Sequence, residues 1–398
     1  MSLPASLGSN GRSPAISSPP VVGQAVSAGS KRRDRFHLQT IAAKLLPTDG
    51  VRHCLRTPTN KNAGVLINKH ETGSCSLGSV QTCKSVWHCP CCASRISEVR
   101  RGEVETAIAF YISQGYSVAM VTHTIPHGVG DDFKGLLNML SDARKRMTGY
   151  RNYKKLKQDL GVDGTIRSLE VTHGKQNGFH PHIHELWFYK GKGGKDSHGT
   201  KRWTPEIDAS LFMMWRKACL AAGLSAPSLR HGIKVDHYDP ASSKLGEYVT
   251  KWGMDCEMTK SSYKKGRNGS RSPWEILRDA EKIESDRALF RAYAHGMKGQ
   301  RQLFWSRGLK KLLLVADITD KEIMEDGENV TETFEIEPQF WWLVLLYGNR
   351  SDLLRAAEKE GMKGINKYLY AIMLRRDIRC VDDLPERLPK LQRLAKAC

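Results

Sequence analysis

Apolar and polar residues alternate along "TIRSLEVTH" (165–173) and "HPHIHELWFY" (180–189), and "GKQNG" between them is turn chemistry. The pattern predicts a β-hairpin centred near Gln176. Upstream, "SRISEVRRGEVETAIAFYISQGY" carries apolar residues at helical spacing and runs into Gly115, which predicts an amphipathic helix ending there. "YSVAMVTHTIPH" then has the β-formers of a strand, closed by Pro126, and a second helix is predicted over residues 131–147. Near the C-terminus, "EIEPQFWWLVLLYGNRSDLLRAAEKEG" predicts a strand and a helix in a small appended region.

Side chains of a strand alternate faces, so His180, His182 and His184 share one face while Ile183 and Trp187 enter the opposite layer. With the turn at Gln176, Glu170 falls opposite His182 on the same face. Two imidazoles and a carboxylate make a divalent-metal site. That nitrogen and oxygen mixture suits manganese, and tolerates magnesium or zinc, better than it suits calcium. Two or three protein ligands also leave positions free for a substrate oxygen.

The chain has ten cysteines, five of them between residues 75 and 92. Cys89 and Cys92 form a C-x-x-C in which Pro90 shapes the turn, and Cys83 and Cys54 complete four thiolates for a closed, structural zinc site. Cys75, Cys91 and His88 are the spare ligands. A disulfide framework is not expected, because the chain reads as cytoplasmic. The first thirty residues hold 16 Ser, Pro and Gly with one charged residue, which predicts a disordered tail, drawn here as residues 1–34. The longest apolar run, "FWWLVLLY", is far short of the roughly 20 residues of a spanning helix, so no membrane partner is expected. The remaining divisions are a Cys-rich zinc-binding region (50–100), a catalytic domain (101–312) and a C-terminal region of unassigned role (313–398).

Sixty-two Lys and Arg against 42 Asp and Glu leave a formal charge of +20, which favours a polyanionic partner. "RKRMTGYRNYKKLK" (144–157) is basic without an acidic residue and predicts a phosphate-contacting face of Arg144, Lys145, Arg146, Lys154 and Lys155. "KSSYKKGRNGSRS" with Lys264 and Lys265, and "KGQRQLFWSRGLK" with Arg301, interleave cations with Tyr263, Phe304 and Trp305, as phosphate contact plus base stacking requires. "SSKLGEYVTKW" predicts a short helix with Tyr248, Lys244 and Lys251 on one face, where the cations ease ionisation of a phenol whose reference pKa is about 10.

Taken in order, "VTHT", "HPHIH" and "EYVTK" resemble the three motifs of HUH endonucleases. With "CKSVWHCP", "RSPWEILRDA" and "KGQRQLFWSRGLK", the chain resembles the rolling-circle replication initiators of small plasmids over roughly residues 50–312. The resemblance implies an α+β fold, an HUH-type antiparallel sheet flanked by helices, with the "VTHT" strand beside the histidine strand. It also implies that His182, His184 and Glu170 hold Mn2+ or Mg2+, that Tyr248 is the nucleophile and that Lys251 assists it. The substrate it implies is single-stranded or cruciform origin DNA from a plasmid or phage, with a 5′-phosphotyrosine product and a 3′-hydroxyl for a host DNA polymerase. Some relatives carry a second tyrosine or a glutamate four residues from the nucleophile, where this chain has Lys244. No G-x-x-x-x-G-K-[ST] is present, since Lys195 of "GKGGKDSHGTK" is followed by Asp196, so unwinding falls to a host helicase. The competing readings are a conjugative relaxase or single-strand transposase, and a DNA-binding regulator without catalysis.

Overall fold

The computed structural model describes residues 28–60, 62–190, 203–237, 269–325, 329–376 and 378. Helix α1 (Ala28–Leu45) opens the described chain. It takes in residues 28–34, which the sequence assigned to the tail. The low-charge composition ends at Lys31, and Arg32 forms an ion pair with Glu358 at 2.6 Å that anchors this turn. Strands β1 (Val65–His70) and β2 (Cys75–Gly78) follow as an antiparallel pair, and helix α2 (Pro90–Ser113) leads to β3 (Ser117–Thr124). Gly115, at φ +72°, lets the chain leave α2 through a left-handed turn, as expected from its position.

Helices α3 (Phe133–Gly149) and α4 (Arg151–Asp159) precede the long hairpin of β4 (Val162–Gly174) and β5 (Gly178–Tyr189). The hairpin turns through Gly178 at φ +72°, where a Cβ would also lie 2.6 Å from the Gly128 carbonyl oxygen, so only glycine fits. Then come α5 (Pro205–Ala221), β6 (Ile233–His237), β7 (Ser270–Arg271), α6 (Pro273–Asp279), α7 (Glu284–Met297) and β8 (Leu303–Trp305). A capping box starts α6: the Ser272 hydroxyl accepts from the Glu275 amide, and the Glu275 carboxylate accepts from the Ser272 amide.

The central sheet has strand order β6-β3-β5-β4-β7, with β8 also on β4, and every pairing is antiparallel. On the even-numbered face of β5, α2 sets Ile108 and Tyr111 against Leu186 and Phe188. On the odd-numbered face, α3 and α5 bring Leu136, Leu140, Leu211 and Trp215 onto Val121, Ile183 and Trp187. Helix α2 covers one end of its face, and the histidines occupy the other end.

Among the described residues, the stretch read as one strand and one helix forms a strand and two helices. These are β9 (Val330–Ile336), α8 (Pro338–Tyr347) and α9 (Arg350–Arg375). The apolar run "FWWLVLLY" lies in α8, where Trp341, Leu343 and Val344 are buried, as a helix apolar on all sides must be. β9 pairs with β1, so this region completes a three-stranded sheet, β2-β1-β9, with the Cys-rich segment. Among the described residues no helix is long and apolar enough to cross a membrane.

Candidate active site

The β4–β5 register places Glu170 directly across from His182 and Ser168 across from His184. Glu170 Oε2 lies 3.2 Å from His182 Nε2 and 2.7 Å from His184 Nε2. His182 Nδ1 lies 3.2 Å from the His180 carbonyl oxygen, which can only accept, so Nδ1 carries a proton. His184 Nδ1 lies 2.9 Å from the Thr122 hydroxyl. A neutral His182 thus turns a lone pair toward a carboxylate. That contact is repulsive unless a proton or a metal cation sits between them.

Electrostatics agree with a cation-seeking site. Burial pushes the Glu170 carboxyl up, but the charge and hydrogen bond of His182, with those of His184, hold it well below the usual range. Burial likewise lowers His182, and the Glu170 carboxylate outweighs that and raises it. Ligands about 2.1 Å from one ion stand about 3.0 Å apart along an octahedral edge, close to the spacings from Glu170 to the two imidazoles. Ser168 adds a buried hydroxyl with no hydrogen-bond partner among the described residues. The donor set fits Mn2+ or Mg2+.

His180 shares the face but is not in the group. Its ring stacks on His127 with centroids 4.4 Å apart. Burial, with His182 and His127 beside it, pushes it down to about 3, so it is a neutral wall of the site. Two features escaped the sequence. Thr122 faces the Glu170, His182 and His184 group, whereas His123, the histidine of "VTHT", points into the opposite layer, edge-on to Trp215 at 5.0 Å. Burial lowers His123 to about 3 and keeps it uncharged. The register Thr122↔His184 decides this, and it depends on how β3 docks.

A family model described as "Replication protein" matches residues 74–343. The chain belongs to this family. The replication protein is 24% identical over 308 residues to "Protein rep" of Streptomyces lividans, covering 63% of this chain and 68% of the relative. It is also 28% identical over 177 residues to a "Neomycin resistance protein" of Streptomyces cyanogenus, covering 37% of this chain and 40% of that one. No solved structure matches it.

The replication protein treats its expected DNA-contacting residues differently. Arg144 is a correction: it is buried, and its guanidinium meets Glu185 Oε2 at 2.5 Å and the Tyr153 hydroxyl at 3.2 Å. It ties α3 to the sheet instead of facing phosphate. Lys145, Arg146, Lys154 and Lys155 are exposed on α3 and α4, behind the sheet face opposite His182 and His184. Arg146 pairs with Asp142 and Lys155 with Asp159. Arg301 is exposed, 5.6 Å from the Phe304 ring, and lines a groove of about 900 Å³ with Trp305, Arg307 and Lys311. Tyr248, Lys251, Lys244, Lys264 and Lys265 lie outside the described residues. The described chain leaves the central sheet with β6 and re-enters it with β7.

The cysteines sort cleanly. Cys54, Cys83, Cys89 and Cys92 bring their sulfurs within 4.8 Å of one another. Cys75 packs instead in the core of the three-stranded sheet. His88 is taken up by Asp49 at 2.9 Å and by the Ala294 carbonyl oxygen at 2.9 Å, so it is not spare. Cys91 follows Cys89 but stands outside the quartet.

Proposed function

We propose that this replication protein, a plasmid initiator by its family, starts rolling-circle synthesis as an HUH-type endonuclease that nicks one strand of origin DNA. The observation that carries the reading is the convergence of Glu170, His182 and His184 on one point, in a chain of the replication protein family. A divalent ion held there, Mn2+ or Mg2+, would polarise a non-bridging oxygen of the scissile phosphate.

The protein's own groups supply the rest. Thr122 and the His180 carbonyl hold the two imidazoles in orientation, and Glu170 supplies the negative charge that binds the ion. The Tyr248 phenolic oxygen forms a bond to phosphorus while the bond from phosphorus to the 3′ oxygen breaks. That oxygen leaves as a 3′-hydroxyl for a host polymerase, and the 5′ end stays on tyrosine. Lys251 stabilises the phenolate. The phosphotyrosine keeps the phosphodiester's energy, so religation needs no ATP. The substrate is single-stranded or extruded from a cruciform, because the ion and Tyr248 must reach one backbone, and a host helicase opens the duplex ahead. A protein that hands a 3′-hydroxyl to a host polymerase would work in the cytoplasm.

The test is an oligonucleotide spanning the origin, labelled 3′ of the nick and incubated with Mn2+. Wild type should give a denaturation-resistant adduct, and Tyr248→Phe should bind the DNA without forming it. An adduct in the phenylalanine variant would reject Tyr248 as nucleophile and point to Tyr238 or Tyr263. An adduct in His182→Ala/His184→Ala would reject the metal site.

A further inference from the structure

Cys54, Cys83, Cys89 and Cys92 come from three places in the chain. Cys54 follows the short helical turn Gly50–Arg52, Cys83 sits in the connection after β2, and Cys89 and Cys92 frame the start of α2. Sulfur to sulfur, Cys54 and Cys92 are 3.4 Å apart, Cys54 and Cys89 3.6 Å, and Cys83 and Cys92 3.7 Å. Four sulfurs at about 2.3 Å from one tetrahedral ion stand about 3.8 Å apart. A disulfide needs about 2.05 Å, and all four are free thiols. Cys54, Cys89 and Cys92 are fully buried, which leaves an ion there no open position for water or substrate.

The surroundings carry matching charge. A divalent ion with four thiolates has a net charge of −2, costly to bury unless a cation lies close by. Gln39, itself fully buried, donates from Nε2 to Cys89 Sγ at 3.3 Å and to the Cys54 carbonyl oxygen at 3.1 Å. Its Oε1 accepts from the buried Arg350 guanidinium at 2.8 Å, and Arg350 also donates to the Leu55 carbonyl oxygen at 2.9 Å. The chain of contacts runs from the sulfurs through α1 to the first residue of α9.

We infer that the four cysteines hold one structural zinc ion, and that Gln39 and Arg350 extend this site into a clamp joining α1, the start of α2 and the C-terminal helix α9. Zinc suits it because a d¹⁰ ion accepts tetrahedral thiolates without redox chemistry. The clamp is independent of the nicking reading. It gives the C-terminal region a role: its helix supplies the cation that compensates the site, and its strand closes the small sheet.

The test uses the full chain. Elemental analysis should find about one zinc per chain in wild type and in Cys75→Ser, and little in Cys83→Ser/Cys92→Ser. Should that double variant fail to fold, titrating wild type with an organomercurial should release the zinc as four thiols are modified. Arg350→Met should keep zinc at stoichiometry but release it to a chelator about 10- to 100-fold faster. In stripped protein, hydrogen exchange should rise first at the N-terminal turns of α2 and α9. A folded protein without zinc, iron in its place, or a mass four hydrogens lower, marking two disulfides, would overturn the site. Unchanged zinc release in Arg350→Met, with exchange in α9 unmoved by stripping, would overturn the clamp.

Discussion

Arg144→Met is the sharpest perturbation, because the basic run predicts a lost phosphate contact and the fold predicts a damaged core. The Arg144 and Glu185 side chains are 6% and 2% exposed. Burial pushes the Glu185 carboxyl up, but Arg144 and then Lys157 pull it down from 4.5 to about 2. At 1.36 kcal/mol per tenfold change in acidity, that corresponds to about 3 kcal/mol of stability. Removing one partner of such a pair costs about 3–5 kcal/mol, since a carboxylate is left in the core. Tm should fall by on the order of 10 °C. Arg144→Met/Glu185→Met should recover most of the loss, because both charges leave together. The pH dependence has a definite sign. A depressed folded pKa gives stability that is present above about pH 4.5 and is lost as pH falls through about 2. Urea denaturation followed by circular dichroism should show that acid loss in wild type and a smaller one in the double variant. An Arg144→Met protein with unchanged Tm and a lower salt dependence of DNA binding would refute the reasoning and restore the surface reading.

Thr122→Val keeps the shape of the side chain but removes the group that orients His184, so Mn2+ affinity should fall about 10- to 100-fold by calorimetry with the fold intact; unchanged affinity would remove Thr122 from the site. Lys145→Ala/Lys154→Ala removes two exposed cations and should reduce the slope of log affinity against log salt by about 1.4–1.8, at about 0.7–0.9 per phosphate contact, without changing the metal site; an unaltered slope would show that DNA does not track the back of the sheet.

The histidine strand was legible in the sequence because its cause is local. A period of two sets the face, and the turn between Gly174 and Gly178 sets the register, so Glu170 across from His182 followed from spacing alone. The end of α2 at Gly115 was legible for the same reason. Near the cysteines the sequence could name four ligands and three spares, but separating them needed the loops to fold. Asp49 and the Ala294 carbonyl occupy His88, and β2 carries Cys75 away into another core. The charge run at residues 144–157 misled at one residue because a helix exposes most of its faces but not all. Whether Arg144 meets water or a carboxylate depends on Glu185, 41 residues later on the sheet. The same holds for Thr122 and His123, adjacent in sequence and on opposite faces, and for the pairs Arg32–Glu358 and Arg350–Gln39, whose members lie more than 300 residues apart. Periodicity and turn chemistry set what a segment becomes and which side chains share its face. Only the docking of distant segments decides what each face meets, because the burial and ion pairing that hold it there arise between residues far apart in the chain.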